Sequence, residues 1–128
     1  MKPAKVSIAF YGHTLQTNDS FKNRLEENFH TYYCKNINQI INTIKKKSIK
    51  LLLLEIGSNG RELKILRELH TKWPRLRVIS LGYEEPKEHL IKAFKYGSND
   101  FYKIPLNIDL LIERIEGIVK RNDLLHSS

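Results

Sequence analysis

Glu55 closes the most apolar run of the chain, Lys50-Leu51-Leu52-Leu53-Leu54-Glu55-Ile56. A carboxylate at the end of such a run sits where a sheet edge can hold or receive a charged group. The polar segment before the first helix carries His13 and Asp19, a pair able to bind a metal or share a proton, although a plain surface loop explains both. His30, His70, His89 and His126 show no metal-ligand spacing. Gly57 and Gly60 do not form a phosphate loop, because no Lys-Ser/Thr pair follows them. Cys34 is the single cysteine. It can form no internal disulfide, has no catalytic partner nearby in sequence, and reads as a small core residue.

Charge supplies the other chemical signal. The formal net charge is +8, which favours nucleic acid, an anionic membrane or an acidic protein as partner without choosing among them. Lys45, Lys46, Lys47 and Lys50 form one cluster. Arg61, Lys64, Arg67, Lys72, Arg75 and Arg77 form another. No nucleic-acid-reading motif accompanies either. No apolar run approaches a bilayer span, and Met1 to Lys5 lacks the cleavage site of a signal peptide. Together with the lone cysteine, these features predict a cytoplasmic protein that needs no membrane.

The elements that position these groups follow from periodicity. Lys5 to Tyr11 reads as a strand. Phe21, Leu25 and Phe29 recur at helical spacing behind a cap at Asn18, Asp19 or Ser20. Thr31 to Lys35 reads as a short strand. Ile37, Ile40, Ile41 and Ile44 mark a helix whose end is lysine-rich, as the helix dipole prefers. Lys50 to Ile56 has the composition of a central strand covered on both faces. A helix from Arg61 to Lys72 stops at Trp73-Pro74. Arg77 to Leu81 is a strand, Pro86 to Tyr96 a helix capped by Gly97, and Asp100 to Ile104 a strand ended by Pro105. A last helix runs from a cap at Asn107 or Asp109 to about Asn122. Strand and helix alternate, so the prediction is an α/β three-layer sandwich with a parallel sheet. One domain spans 1–122, and 123–128 reads as a tail or the start of a linker.

The second half of the chain resembles the receiver domains of two-component signalling. Leu51 to Ile56 resembles the strand bearing the phosphorylated aspartate, and Trp73 to Ile79 the turn and strand after the third helix. Gly97-Ser98-Asn99-Asp100-Phe101-Tyr102-Lys103-Ile104-Pro105-Leu106 resembles the motif Gly-Ala-Asp-Asp-Tyr-Leu-x-Lys-Pro-Phe. Leu111 to Ile115 resembles the start of the last receiver helix, as found in receivers attached to winged-helix DNA-binding domains. The resemblance implies a doubly wound five-stranded sheet of order 2-1-3-4-5 and a cis Ile104-Pro105 bond.

The phosphotransfer residues themselves are missing. The acidic metal-binding pair falls on Phe10 and Tyr11, or on Tyr11 and Gly12, and neither choice offers magnesium the oxygen ligands it requires. Glu55 replaces the acceptor aspartate. Gly82 replaces the Ser/Thr that contacts the phosphoryl group, and Ile104 the lysine. Lys103 is adjacent but belongs to the opposite face of its strand. Phe101 takes the place of the switch aromatic, with room beside Gly82 to stay inward. The degenerate pocket predicts no metal, no cofactor and no catalytic residue. Glu55 is read either as an imitation of a phosphorylated aspartate or as a carboxylate bonded to nearby backbone N–H groups.

In winged-helix regulators the fourth-helix, fifth-strand and fifth-helix face forms a symmetric dimer. By that resemblance Leu90, Lys92, Tyr96, Asp100, Leu110 and Arg114 lie on this face, with Leu90 and Leu110 where a charged pair is usual. The expectation is a phosphorylation-independent pseudo-receiver that binds itself or a partner protein and regulates a transcriptional output, with DNA reached through a domain outside this chain. Two alternatives remain open: a basic nucleic-acid-binding protein, and an unusual but active phosphoacceptor.

Overall fold

The computed structural model describes the backbone of residues 5–127 and the side chains of residues 5–120. Five parallel strands form one sheet: β1 (Ser7–Tyr11), β2 (His30–Cys34), β3 (Ile49–Glu55), β4 (Val78–Gly82) and β5 (Asp100–Lys103). Their spatial order is β2-β1-β3-β4-β5, as expected. Parallel neighbours need crossovers, and the helices supply them: α1 (Asp19–Asn28), α2 (Ile37–Lys46), α3 (Glu62–Lys72), α4 (Lys87–Lys95) and α5 (Ile108–Ser127). A 3₁₀ turn, Leu15–Thr17, lies between β1 and α1.

Alternation along the strands builds two cores. Ile8, Phe10, Leu51, Leu53, Ile79 and Leu81 face the helices α1 and α5. Ala9, Leu52, Leu54, Ile56 and Val78 face α2, α3 and α4. The Leu51–Leu54 run is buried throughout because both of its faces are covered. Asparagines start three of the helices. The Phe21 amide donates to Asn18 Oδ1 (3.0 Å), Gln39 to Asn36 Oδ1 (2.9 Å) and Leu110 to Asn107 Oδ1 (3.2 Å).

Several boundaries differ from the sequence reading. The second strand starts at His30, because its amide continues the ladder by donating to Val6 O (2.9 Å). Pro86 is the cap of α4, with extended backbone, and not its first helical residue. The last helix passes the expected end near Asn122 and continues to Ser127. No Gly or Pro between Ile118 and Ser127 interrupts it. Most of the stretch read as a tail is therefore helical backbone, while Ser128 lies outside the described residues. The Ile104–Pro105 bond is cis, as expected, and so is Glu85–Pro86.

A hydroxyl clamp joins β4 to the α4–β5 turn. Ser80 Oγ, fully buried, donates to Ser98 Oγ (2.9 Å), which donates to Asp100 O (2.6 Å). Asn99 adds two bonds: its Oδ1 accepts from the Val78 amide (2.8 Å), and its own amide donates to Val78 O (2.7 Å).

Candidate functional site

The C-terminal ends of β1, β3, β4 and β5 bring together the residues expected to form the pocket. Glu55 is only 3% exposed. A buried carboxylate needs hydrogen bonds to offset its lost hydration, and Glu55 finds them in backbone. The Thr14 amide donates to Oε2 (3.2 Å) and the Leu15 amide to Oε1 (2.8 Å). Leu15 opens the 3₁₀ turn after β1 and Thr14 precedes it, so the side chain ties β3 to the β1–α1 loop. Gly12 makes room for this. A Cβ at position 12 would stand 2.7 Å from both Cβ and Oε1 of Glu55, and 2.9 Å from the Phe10 ring.

Phe10 is fully buried, its ring 5.6 Å from that of Phe21 and 6.1 Å from that of Tyr33. Tyr11 is half-buried and points to the opposite side. Gly82 is roofed by Phe101: a Cβ there would meet the ring's Cζ at 2.8 Å. The ring thus occupies the space above β4 that a Ser or Thr side chain would take. Ile104 packs against the α1/α5 core. Lys103 is exposed and reaches Glu84 (3.3 Å).

The open cleft at this edge, about 880 Å³, is displaced from those residues. Of the pocket positions expected from sequence, Tyr11 and Gly12 line it, while Phe10, Glu55, Gly82 and Ile104 do not. Its other walls include His13, Thr14, Lys35, Arg61, Glu62 and Tyr83. Glu62 accepts from the Gly57 amide (2.8 Å). Burial, and secondarily the Glu62 charge, raise the Tyr11 phenol above its ordinary value. Asp19 is exposed at the start of α1. Among the described residues no group of three or more His, Cys, Asp or Glu could hold a metal ion. Cys34 is buried, and burial raises its thiol. Among the described residues no helix is long and apolar enough to cross a membrane.

No family profile matches the sequence, and no curated protein does. Solved structures do match. A response regulator from Thermotoga maritima aligns with TM-score 0.76 at 24% identity, over 91% of this chain and 99% of its own. A CheY-like receiver domain protein from Methanospirillum hungatei aligns with TM-score 0.79 at 18% identity, over 94% and 98%. NtrX from Brucella abortus aligns with TM-score 0.79 at 22% identity, over 97% of this chain and 29% of that longer one.

The chain has the receiver fold. The corner at the C-terminal ends of its strands β3 and β4 is built from Glu55, Gly12, Phe101, Gly82 and two backbone amides. Sequence reasoning named Glu55, Phe101 and Gly82 as pocket positions. It offered backbone N–H partners for Glu55 as one of two readings but did not single out Thr14 and Leu15, because every residue carries an amide and nothing in its type marks one as a ligand.

The α4–β5–α5 side of this receiver fold is more apolar than its sequence suggested. Leu110 is 54% exposed, while Leu90, expected to be exposed, is half-buried. Ile91 (63%) and Phe94 (46%) are the exposed apolar residues of α4. The charged positions are already paired within the chain: Arg114 Nε donates to Asp100 Oδ2 (2.8 Å), and Lys92 lies 3.4 Å from Glu88. Tyr96 packs toward α3, with the Arg67 guanidinium 5.6 Å from its ring centre.

Burial pushes the Tyr33 phenol well above its ordinary value of 10.0, and its hydrogen bond to Glu26 adds to the shift. A raised folded-state value favours the protonated form, so its contribution to stability is complete below the unfolded-state value. That contribution is lost as pH rises from about 10 toward the folded-state value. Urea denaturation between about pH 9 and 11.5 is expected to show a fall in stability that is shallower in Tyr33→Phe. Equal slopes in the two proteins would refute this role for Tyr33.

Proposed function

We propose that the chain is a pseudo-receiver, a receiver-fold module that acts without phosphorylation and without catalysis. It binds a second copy of itself or a partner protein, and it regulates a transcriptional output carried outside this chain. One observation carries this reading: the Glu55 carboxylate, at the acceptor position, is buried and held by the Thr14 and Leu15 amides. Phosphoryl transfer needs a free attacking oxygen and a cation to offset the phosphoryl charge. A carboxylate whose two oxygens each accept from a backbone amide, beside Phe10 and Tyr11 in place of an acidic pair, provides neither. Phe101 over Gly82 supports the same reading, since the ring lies where the phosphate-contacting hydroxyl would be.

The test is incubation with acetyl phosphate and magnesium, read by intact mass. No phosphoryl adduct is expected, and millimolar magnesium alone should leave the amide resonances of Thr14, Leu15 and Glu55 in place. An adduct, or a saturable magnesium shift at these amides, would support the active phosphoacceptor instead.

The partner surface we propose is the α4–β5–α5 face. Leu110, Ile91 and Phe94 expose apolar area there, and burying such area stabilises by about 25 cal/mol per Å². With Asp100 bound to Arg114 and Lys92 near Glu88 in the same chain, ion pairs between copies have little to add. The net charge of +8 opposes association, and salt screens that repulsion beyond about 8 Å at physiological strength. The expected result is a homodimer that tightens with salt. Analytical ultracentrifugation should find it weakened at least about tenfold by Leu110→Glu. A strict monomer at high concentration, or a dimer indifferent to Leu110→Glu, removes this interface.

A further inference from the structure

The parallel topology carries two basic segments of the sequence to one pole of the molecule. Helix α2 ends at Lys46 and β3 begins at Ile49, while α3 ends at Lys72 and β4 begins at Val78. Strands β3 and β4 are hydrogen-bonded neighbours. The two connections therefore lie side by side at the N-terminal edge of the sheet, at the opposite end of β3 from Glu55. Neither 42–50 nor 69–78 contains an Asp or Glu.

A groove of about 420 Å³ opens between these connections. Ile44, Ile49, Trp73, Pro74 and Leu76 wall it, with Lys72 and Arg75 beside them. Lys45 and Lys46 continue α2 from Ile44 as exposed residues. Lys72 lies 3.8 Å from Glu68, a solvated i,i+4 pair that a partner can replace at little cost. Lys47 is engaged with the Tyr32 ring at 5.6 Å. Among the described residues no ion pair occupies Lys45, Lys46 or Arg75.

We infer that this pole is a docking site for an acidic polypeptide segment bearing one bulky apolar side chain. The apolar side chain enters the groove, and carboxylates on either side of it meet Lys45, Lys46, Lys72 and Arg75. Charge complementarity selects this occupant. A second copy docking pole to pole would set like charges against each other. Single-stranded nucleic acid binds by stacking bases on aromatic platforms, and this groove offers one aromatic ring among aliphatic and prolyl walls. Those walls accept an apolar side chain, whose burial supplies the attraction that charge alone does not.

The test is an NMR titration of the isotope-labelled chain with short, end-blocked peptides of Glu and Asp centred on Leu, Phe or Trp. The control peptide has Ser at the centre, and a short oligothymidine provides a separate arm. At least one apolar-centred peptide is expected to shift the amides of Ile44, Ile49, Trp73 and Leu76 saturably. The Ser-centred peptide should bind at least about tenfold more weakly. The triple variant Lys45→Glu, Lys46→Glu, Arg75→Glu changes exposed side chains only. It should keep its circular dichroism melt and lose the peptide response. Three outcomes overturn the assignment: no shifts in the groove with any of the three centres, equal binding of the Ser-centred peptide, or tighter binding of the oligothymidine at this pole. The last would identify a nucleic-acid surface.

Discussion

Glu55→Ala is expected to lower the unfolding free energy by about 3 kcal/mol. The carboxylate accepts from the Leu15 amide at 2.8 Å and from the Thr14 amide at 3.2 Å. Hydrogen bonds to a charged group contribute roughly 1.5–3 kcal/mol each, and a buried donor left without an acceptor costs a similar amount. The Leu15 bond is buried and the Thr14 bond only partly so, so the second contributes less. The conservative variants sharpen the test. Glu55→Asp restores the residue type of a working receiver but shortens the side chain by one methylene, which takes the carboxylate away from both amides. It should lose nearly as much as alanine. Glu55→Gln keeps one oxygen but turns an NH₂ toward a donor, and should lose about 1–2 kcal/mol. Urea denaturation measures all three, and hydrogen exchange at the Leu15 amide reports the local loss. If all three variants stay within about 0.5 kcal/mol of the parent, Glu55 does not tether the loop.

Gly97→Ala is expected to be of comparable severity, again about 3 kcal/mol. Gly97 has φ +114°, outside the small left-handed region that residues with a Cβ tolerate. A Cβ there would also stand 2.4 Å from Cγ and 2.5 Å from Nδ1 of His70. The His70 side chain is exposed and can rotate away, so the backbone contributes the larger share. In the His70→Ala background the ring contact disappears, but the His70 Cβ, 2.9 Å from the new methyl, remains. The second substitution should therefore recover only part of the loss, about 1 kcal/mol. Complete recovery would show that the collision, and not the backbone, sets the cost. The position matters beyond stability, because Gly97 leads directly into the Ser98–Asn99 clamp that fixes the edge strand β5 on β4.

The elements were legible in the sequence where a single cause dominates. The Leu51–Leu54 run has one stable environment, a strand covered on both faces. Asn18, one of three caps the sequence offered, precedes a helical apolar pattern and caps α1, and Asn36, which the sequence reading did not name, caps α2 in the same way. Helix α4 was harder to phase. Leu90, Ile91, Ala93 and Phe94 all qualify for the core, and the small Ala93 took the buried position while Ile91 and Phe94 stayed outside. Four apolar residues within five positions fit more than one helical phase, so periodicity does not choose among them. The site was half legible. Substitutions such as Gly82 and Ile104 can be read residue by residue against a motif. The partners of Glu55 are backbone groups 40 and 41 positions away, and the basic pole exists only once β3 and β4 are adjacent. Both depend on topology and are invisible to local pattern.

Phe101 lies in the space that Gly82 leaves open, and nothing at position 82 competes for it. A ring that stays in that place cannot report two conditions. In the reading proposed above, such a module has no off position for a chemical signal to reverse. It transmits by dose: how many copies are made, how long they last, and how many partners they meet. Control would then belong to synthesis and turnover, and the cell would read the protein's concentration as the message.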